Sequence, residues 1–110
     1  ISGRSKDMII TGGLNVYPKE VERVLDKFPE IIESSVFGVP HSDFGEGVMA
    51  AVVMKGNEPL EQRRIIESLN EQLARFKIPK HIVAMEELPR NAMGKVMKGE
   101  LRNSYASFFS

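Results

Sequence analysis

Hydrophobic positions along the chain fall in short runs whose spacing changes from segment to segment. Met8, Ile9 and Ile10 stand before Thr11-Gly12-Gly13, and Leu14 and Val16 stand after it. Two short apolar segments around a glycine pair predict a tight β-hairpin, because glycine accepts the positive φ that such turns require. Pro18 suits the first position of a helix, and Val21, Val24, Leu25 and Phe28 then fall at i, i+3, i+4 and i+7 on one helical face. Pro29 is expected to end that helix. Residues 31–39 are rich in β-branched side chains and predict a strand stopped by Pro40. Residues 41–47 read as a loop, and residues 48–54, almost wholly apolar, as a strand covered on both faces. Pro59 is expected to open a second helix, in which Ile65, Leu69 and Leu73 recur every four residues and Ile66 and Phe76 widen the stripe. Residues 81–85 predict a third strand, 89–95 a loop, and Val96, Leu101, Tyr105 and Phe108 a short last helix.

This order predicts an α+β fold: a small three-stranded sheet with flanking helices plus an N-terminal β-hairpin. The 110 residues suit a single domain spanning 1–110. Lys plus Arg and Asp plus Glu both number 15, so the balance lacks the basic surplus of a nucleic-acid binder. There are no cysteines, which excludes disulfides, thiolate metal sites and a cysteine nucleophile. That composition fits a reducing compartment, and a cytoplasmic location is expected. No apolar run approaches a membrane span, and no signal-peptide pattern opens the chain. His41 and His81 lack the convergent partners of a metal site, so no metal ligands are expected. The chain begins at Ile1 inside motif-like sequence, which reads as a piece of a longer protein.

Two segments carry candidate chemistry. Gly12-Gly13 leaves backbone unshielded, so a substrate chain could approach it closely. Taken alone, a glycine pair is more often only a turn. Arg4 could clamp a phosphate, a carboxylate or ribose hydroxyls, although from its chemistry alone the simpler reading is a solvated arginine. The glycine segment lacks the third glycine of a dinucleotide fingerprint and the GK[ST] of a P-loop, so the domain has no nucleotide cradle of its own. In the second segment Pro89 restricts the backbone and Gly94 frees it just before Lys95, which would project a lysine on a mobile loop. Such a lysine can stabilise charge developing on a carboxylate and a phosphate, although a lone lysine is more often a surface charge. Lys77, Lys80, Arg90 and Lys98 are further cations whose simplest reading is solvation, and Phe44 reads as a core or an interface residue, with core favoured.

Together the two segments resemble the adenylate-forming superfamily of acyl-CoA and aryl-CoA synthetases, peptide-synthetase adenylation domains and luciferases. Residues 3–7 and 12–22 look like the motif that opens that family's C-terminal domain, and residues 89–95 like its closing lysine motif. Ser35-Val36-Phe37-Gly38-Val39-Pro40-His41 and Phe76-Lys77-Ile78-Pro79 also match family patterns. In detail the chain is most similar to malonyl- and fatty-acyl-CoA ligases. The resemblance implies the mobile C-terminal domain of a larger two-domain enzyme, inactive alone. That enzyme would activate a small carboxylic acid with ATP to an acyl adenylate and pass the acyl group to CoA. Magnesium would be held mainly by the N-terminal domain, which is the implied partner.

By position, the resemblance implies that Lys95 is the adenylation lysine, Arg4 a ribose contact and Lys6 the hinge. It further implies that Gly12 and Gly13, with Leu14 beside them, line the pantetheine path, and that Lys77, Lys80, Arg90 or Lys98 could meet CoA phosphates. Asn15 stands where some members have Arg or Gln. Two rival readings share the fold: an adenylation domain that loads a carrier protein, and a non-catalytic interaction module.

Overall fold

The long apolar run becomes the central strand of one five-stranded sheet. The computed structural model describes residues 8–56 and 58–109. Its strands are β1 (Ile9–Thr11), β2 (Leu14–Val16), β3 (Ile31–His41), β4 (Gly45–Met54) and β5 (His81–Ala84). Its helices are α1 (Pro18–Leu25), α2 (Gln62–Asn70) and α3 (Lys98–Ser104), with a single 3-10 turn at Arg75–Lys77. This is the expected α+β fold, hairpin included. β3 lies antiparallel along the whole of β4, from Ile31↔Met54 to His41↔Gly45. The other flank of β4 is shared: β5 runs parallel to it from Met49↔His81 to Val52↔Ala84, and the hairpin joins it through Thr11↔Gly45.

Alternation along the strands divides the core in two. Val36, Val48, Ala50 and Val52 face Val21 and Leu25 of α1 and Ile65 and Leu69 of α2. Phe37, Val39, Met49, Ala51 and Val53 face Leu88 and Leu101, with Tyr105 and Phe109 packed against them. β4 is therefore covered on both faces, as its unbroken apolar run predicts.

Several boundaries differ from expectation: α2 ends at Asn70, short of Leu73 and Phe76, and α3 spans only Lys98–Ser104, leaving Val96, Tyr105 and Phe108 outside it. The α1 helix ends at Leu25, and Phe28 lies beyond it, since a residue that precedes proline is pushed out of the helical region. The α2 helix begins at Gln62, three residues after Pro59. Pro40 does not stop β3; the ladder continues to His41, which shortens the expected loop to a turn at residues 42–44. The edge position explains this. Val36 donates its N–H to Glu22 Oε2 at 2.8 Å and accepts from Lys98 Nζ at 2.6 Å, so its polar groups point away from β4. Pro40 shares that parity, so the N–H it lacks would have faced outward.

Lys98 also pairs with Glu22 itself. The pair leaves both side chains less than a fifth exposed and ties α1 on one face to α3 on the other, across the open edge of β3.

Candidate functional site

The hairpin turn places Gly12 at φ 57° and Gly13 at φ 81°, two successive left-handed residues of the kind that closes a two-residue hairpin. Both are exposed, and a Cβ on Gly13 would meet no atom within 4 Å. The turn is seated on the start of β4 by two bonds. Gly12 donates its N–H to Phe44 O at 2.9 Å, and Ile10 donates to Glu46 Oε1 at 2.8 Å. Beneath it lies an open groove of about 470 Å³, walled by Thr11, Gly12, Leu14, Phe44, Val48 and Phe76, with Ile78, Arg75 and Lys80 completing it. The Lys80 ammonium stands 4.5 Å from the Phe44 ring centroid. A trough with bare backbone, apolar walls and two cations suits a thin neutral chain that carries an anionic end. Phe44 is 40% exposed, so it is a groove wall and not the core residue expected.

The lysine segment forms a hydrogen-bonded turn within the residues expected to be a loop. Arg90 and Val96 form an antiparallel bridge, and Asn91 N–H donates to Lys95 O at 3.0 Å. The Asn91 side-chain oxygen accepts from the N–H groups of Met93 at 2.9 Å and Lys95 at 3.0 Å. Arg90 Nε donates to Gly94 O at 3.0 Å, and its two terminal nitrogens fork onto the Glu33 carboxylate. Hydrogen bonding to Glu33 raises the guanidinium pKa above its already high ordinary value, so the anchor stays charged. Lys95 is exposed at the head of this turn, and its ammonium has no hydrogen bond or ion pair among the described residues. Asn91 is the residue that sequence reasoning undervalued; the affinity of Asn side chains for backbone N–H groups two residues on was the available signal.

The two segments lie at opposite ends of the β3–β4 ribbon. The glycine turn meets β4 at Gly45, and the lysine turn is tied to Glu33, which pairs with Val53. Eight residues of antiparallel strand separate these positions, or about 27 Å.

Other expected residues divide clearly. Arg4 and Lys6 lie outside the described residues. Lys77 is paired with Glu20 at 2.9 Å, Arg90 with Glu33 and Lys98 with Glu22, so none of the three is simply solvated. Lys80 lines the groove, as does Arg75, which the sequence reading did not single out. No group of three His, Cys, Asp or Glu residues able to hold a metal ion occurs among the described residues. No helix among them is long and apolar enough to cross a membrane.

The sequence profile of the AMP-binding enzyme C-terminal domain matches residues 20–95, more than half of the chain. The chain belongs to that family. Among curated proteins it is 45% identical over 107 residues to the long-chain-fatty-acid–CoA ligase FadD13 of Mycobacterium tuberculosis, covering 97% of this chain and 21% of the ligase. It is 42% identical to the indoleacetate–CoA ligase of Aromatoleum aromaticum, covering 96% and 21%. Among solved structures it superposes on ATP-bound MatB from Rhodopseudomonas palustris with a TM-score of 0.93 at 48% identity, covering 98% of this chain and 22% of MatB. The chain thus spans about a fifth of the length of the AMP-binding enzymes it matches.

Proposed function

We propose that the chain is the mobile C-terminal domain of a two-domain, AMP-forming acyl-CoA ligase, and that its two ends serve the two half-reactions in turn. In the first, a carboxylate oxygen bonds to the α-phosphorus of ATP, the α–β phosphoanhydride bond breaks, and pyrophosphate leaves. Lys95 is the residue of this step: its unpaired ammonium, held out on a fixed turn, balances the charge that moves between carboxylate and phosphate. In the second, the CoA sulfur bonds to the acyl carbon and the C–O bond to AMP breaks. Gly12, Gly13 and Leu14 belong to this step, with the groove receiving the pantetheine arm and Lys80 and Arg75 facing its phosphates. Arg4 takes the ribose contact and Lys6 the hinge, both on the resemblance alone.

One observation carries the reading. The two candidate segments are anchored about 27 Å apart along one ribbon, which supports a rotation that brings each in turn to a single reaction centre. The partner is the enzyme's own N-terminal domain, which supplies the acyl pocket, the phosphate loop and the magnesium ligands. Choice of acid also lies there: relatives more than 40% identical across this segment are named for a long-chain fatty acid and for indoleacetate. A cytoplasmic location goes with this reading.

The test is Lys95→Ala in the full-length ligase. ATP–pyrophosphate exchange should fall about 100- to 1000-fold, while thioester formation from preformed acyl adenylate and CoA should stay within a fewfold. Equal loss in both half-reactions would refute the division of labour.

A further inference from the structure

The C-terminal tail reaches the turn between β3 and β4, and it does so through a histidine that neither motif uses. His41 Nδ1 accepts from the backbone N–H of Asp43 at 3.0 Å and of Phe44 at 3.3 Å. A nitrogen that accepts carries no proton, so these bonds require the Nε2–H tautomer. The His41 ring lies 4.6 Å from the Phe44 ring and 5.1 Å from the Phe109 ring. Phe109 is seated firmly: it forms a parallel bridge with His41, and its ring lies so close to Gly47 that a Cβ there would come within 2.7 Å of it. Phe108 beside it stacks 4.6 Å from the His81 ring at the start of β5. A continuous line of rings therefore runs from the tail through His41 to Phe44, whose Cδ1 is 3.7 Å from the place a Gly12 Cβ would take.

We propose that His41, backed by Phe109, is a positioning residue for thiol transfer: it folds the turn at residues 42–44 and stands the Phe44 ring in the groove against the glycine turn. This rests on the reading of that groove as the path of the CoA arm. His41 itself touches no substrate. Its Nδ1 sets the backbone of the turn, and its ring passes the support of the tail to Phe44.

Steady-state kinetics of the full-length ligase test it, with kcat and the KM for CoA measured separately and a melting temperature for each variant. H41F keeps a ring and loses the acceptor. H41N loses the ring, but its side-chain oxygen falls where Nδ1 does and accepts from the same two amides. The KM for CoA should rise about tenfold in H41F with kcat within about twofold, and H41N, which restores the turn but not the ring's support, should recover to about fivefold. F109A should raise the same KM about fivefold. If F44A raises the KM for CoA while H41F and F109A do not, the groove stands and the role of His41 is overturned. An unchanged KM in F44A would instead overturn the groove as the thiol path, and the proposal with it. H41N no better than H41F, or parallel loss of ATP–pyrophosphate exchange in both, would reduce His41 to a structural residue.

Discussion

The neighbours of Lys95 hold its backbone while leaving its ammonium free. Asn91 gathers two amides onto one oxygen, and Arg90 grips both the Gly94 carbonyl and the Glu33 carboxylate. The lysine stem keeps its own freedom, but its root is fixed, which lowers the entropy lost when the amine is placed. On the proposed role of Lys95, Arg90 is a positioning residue for a lysine it does not touch. Arg90→Ala in the full-length ligase should lower ATP–pyrophosphate exchange about tenfold through misplacement of the turn. The melting temperature should barely move, because an exposed ion pair contributes little to stability. A tenfold loss accompanied by a large drop in melting temperature would mean that the fork supports the fold and not the turn.

At the scale of elements, the open edge of β3 is the weak point, and the Glu22–Lys98 pair covers it. Both charges are mostly withdrawn from water, and each also satisfies a backbone group of Val36. Lys98→Ala would leave the Glu22 carboxylate and the Val36 carbonyl short of partners. It should destabilise the domain by about 2–3 kcal/mol, measured as a fall in the urea midpoint at unchanged m-value. A change below about 0.5 kcal/mol would show that water replaces the lysine freely. This device was not legible in the sequence, since its partners lie 76 residues apart. What was legible is local: the period of Val21, Val24 and Leu25, the unbroken run in β4, and the turn demanded by Gly12-Gly13. The pairing of the hairpin with β4, the passage of β3 through Pro40 and the Arg90–Glu33 fork depend on which strand becomes an edge, and that is decided only when the sheet assembles. The same limit hid Phe44. An aromatic residue in a polar turn looks like core until the neighbouring hairpin makes it one wall of a groove.

At the scale of the whole molecule, the domain carries its two candidate segments at the two ends of the β3–β4 ribbon. Prepared alone, it should give no ATP–pyrophosphate exchange above background, and mixing with a separately prepared N-terminal domain should restore at most a small part of it. Exchange by the isolated chain would place the phosphate chemistry here after all. The ribbon that separates the extremities has a further consequence. Removing one facing pair of residues from β3 and β4 would turn every later side chain to the opposite face and exchange the two halves of the core. Removing two pairs restores the facing but draws the lysine about 7 Å nearer the glycines. The span between the two segments can therefore change over evolutionary time only in coarse steps, and on the proposed function each step would oblige a larger domain to reset the swing that alternates them.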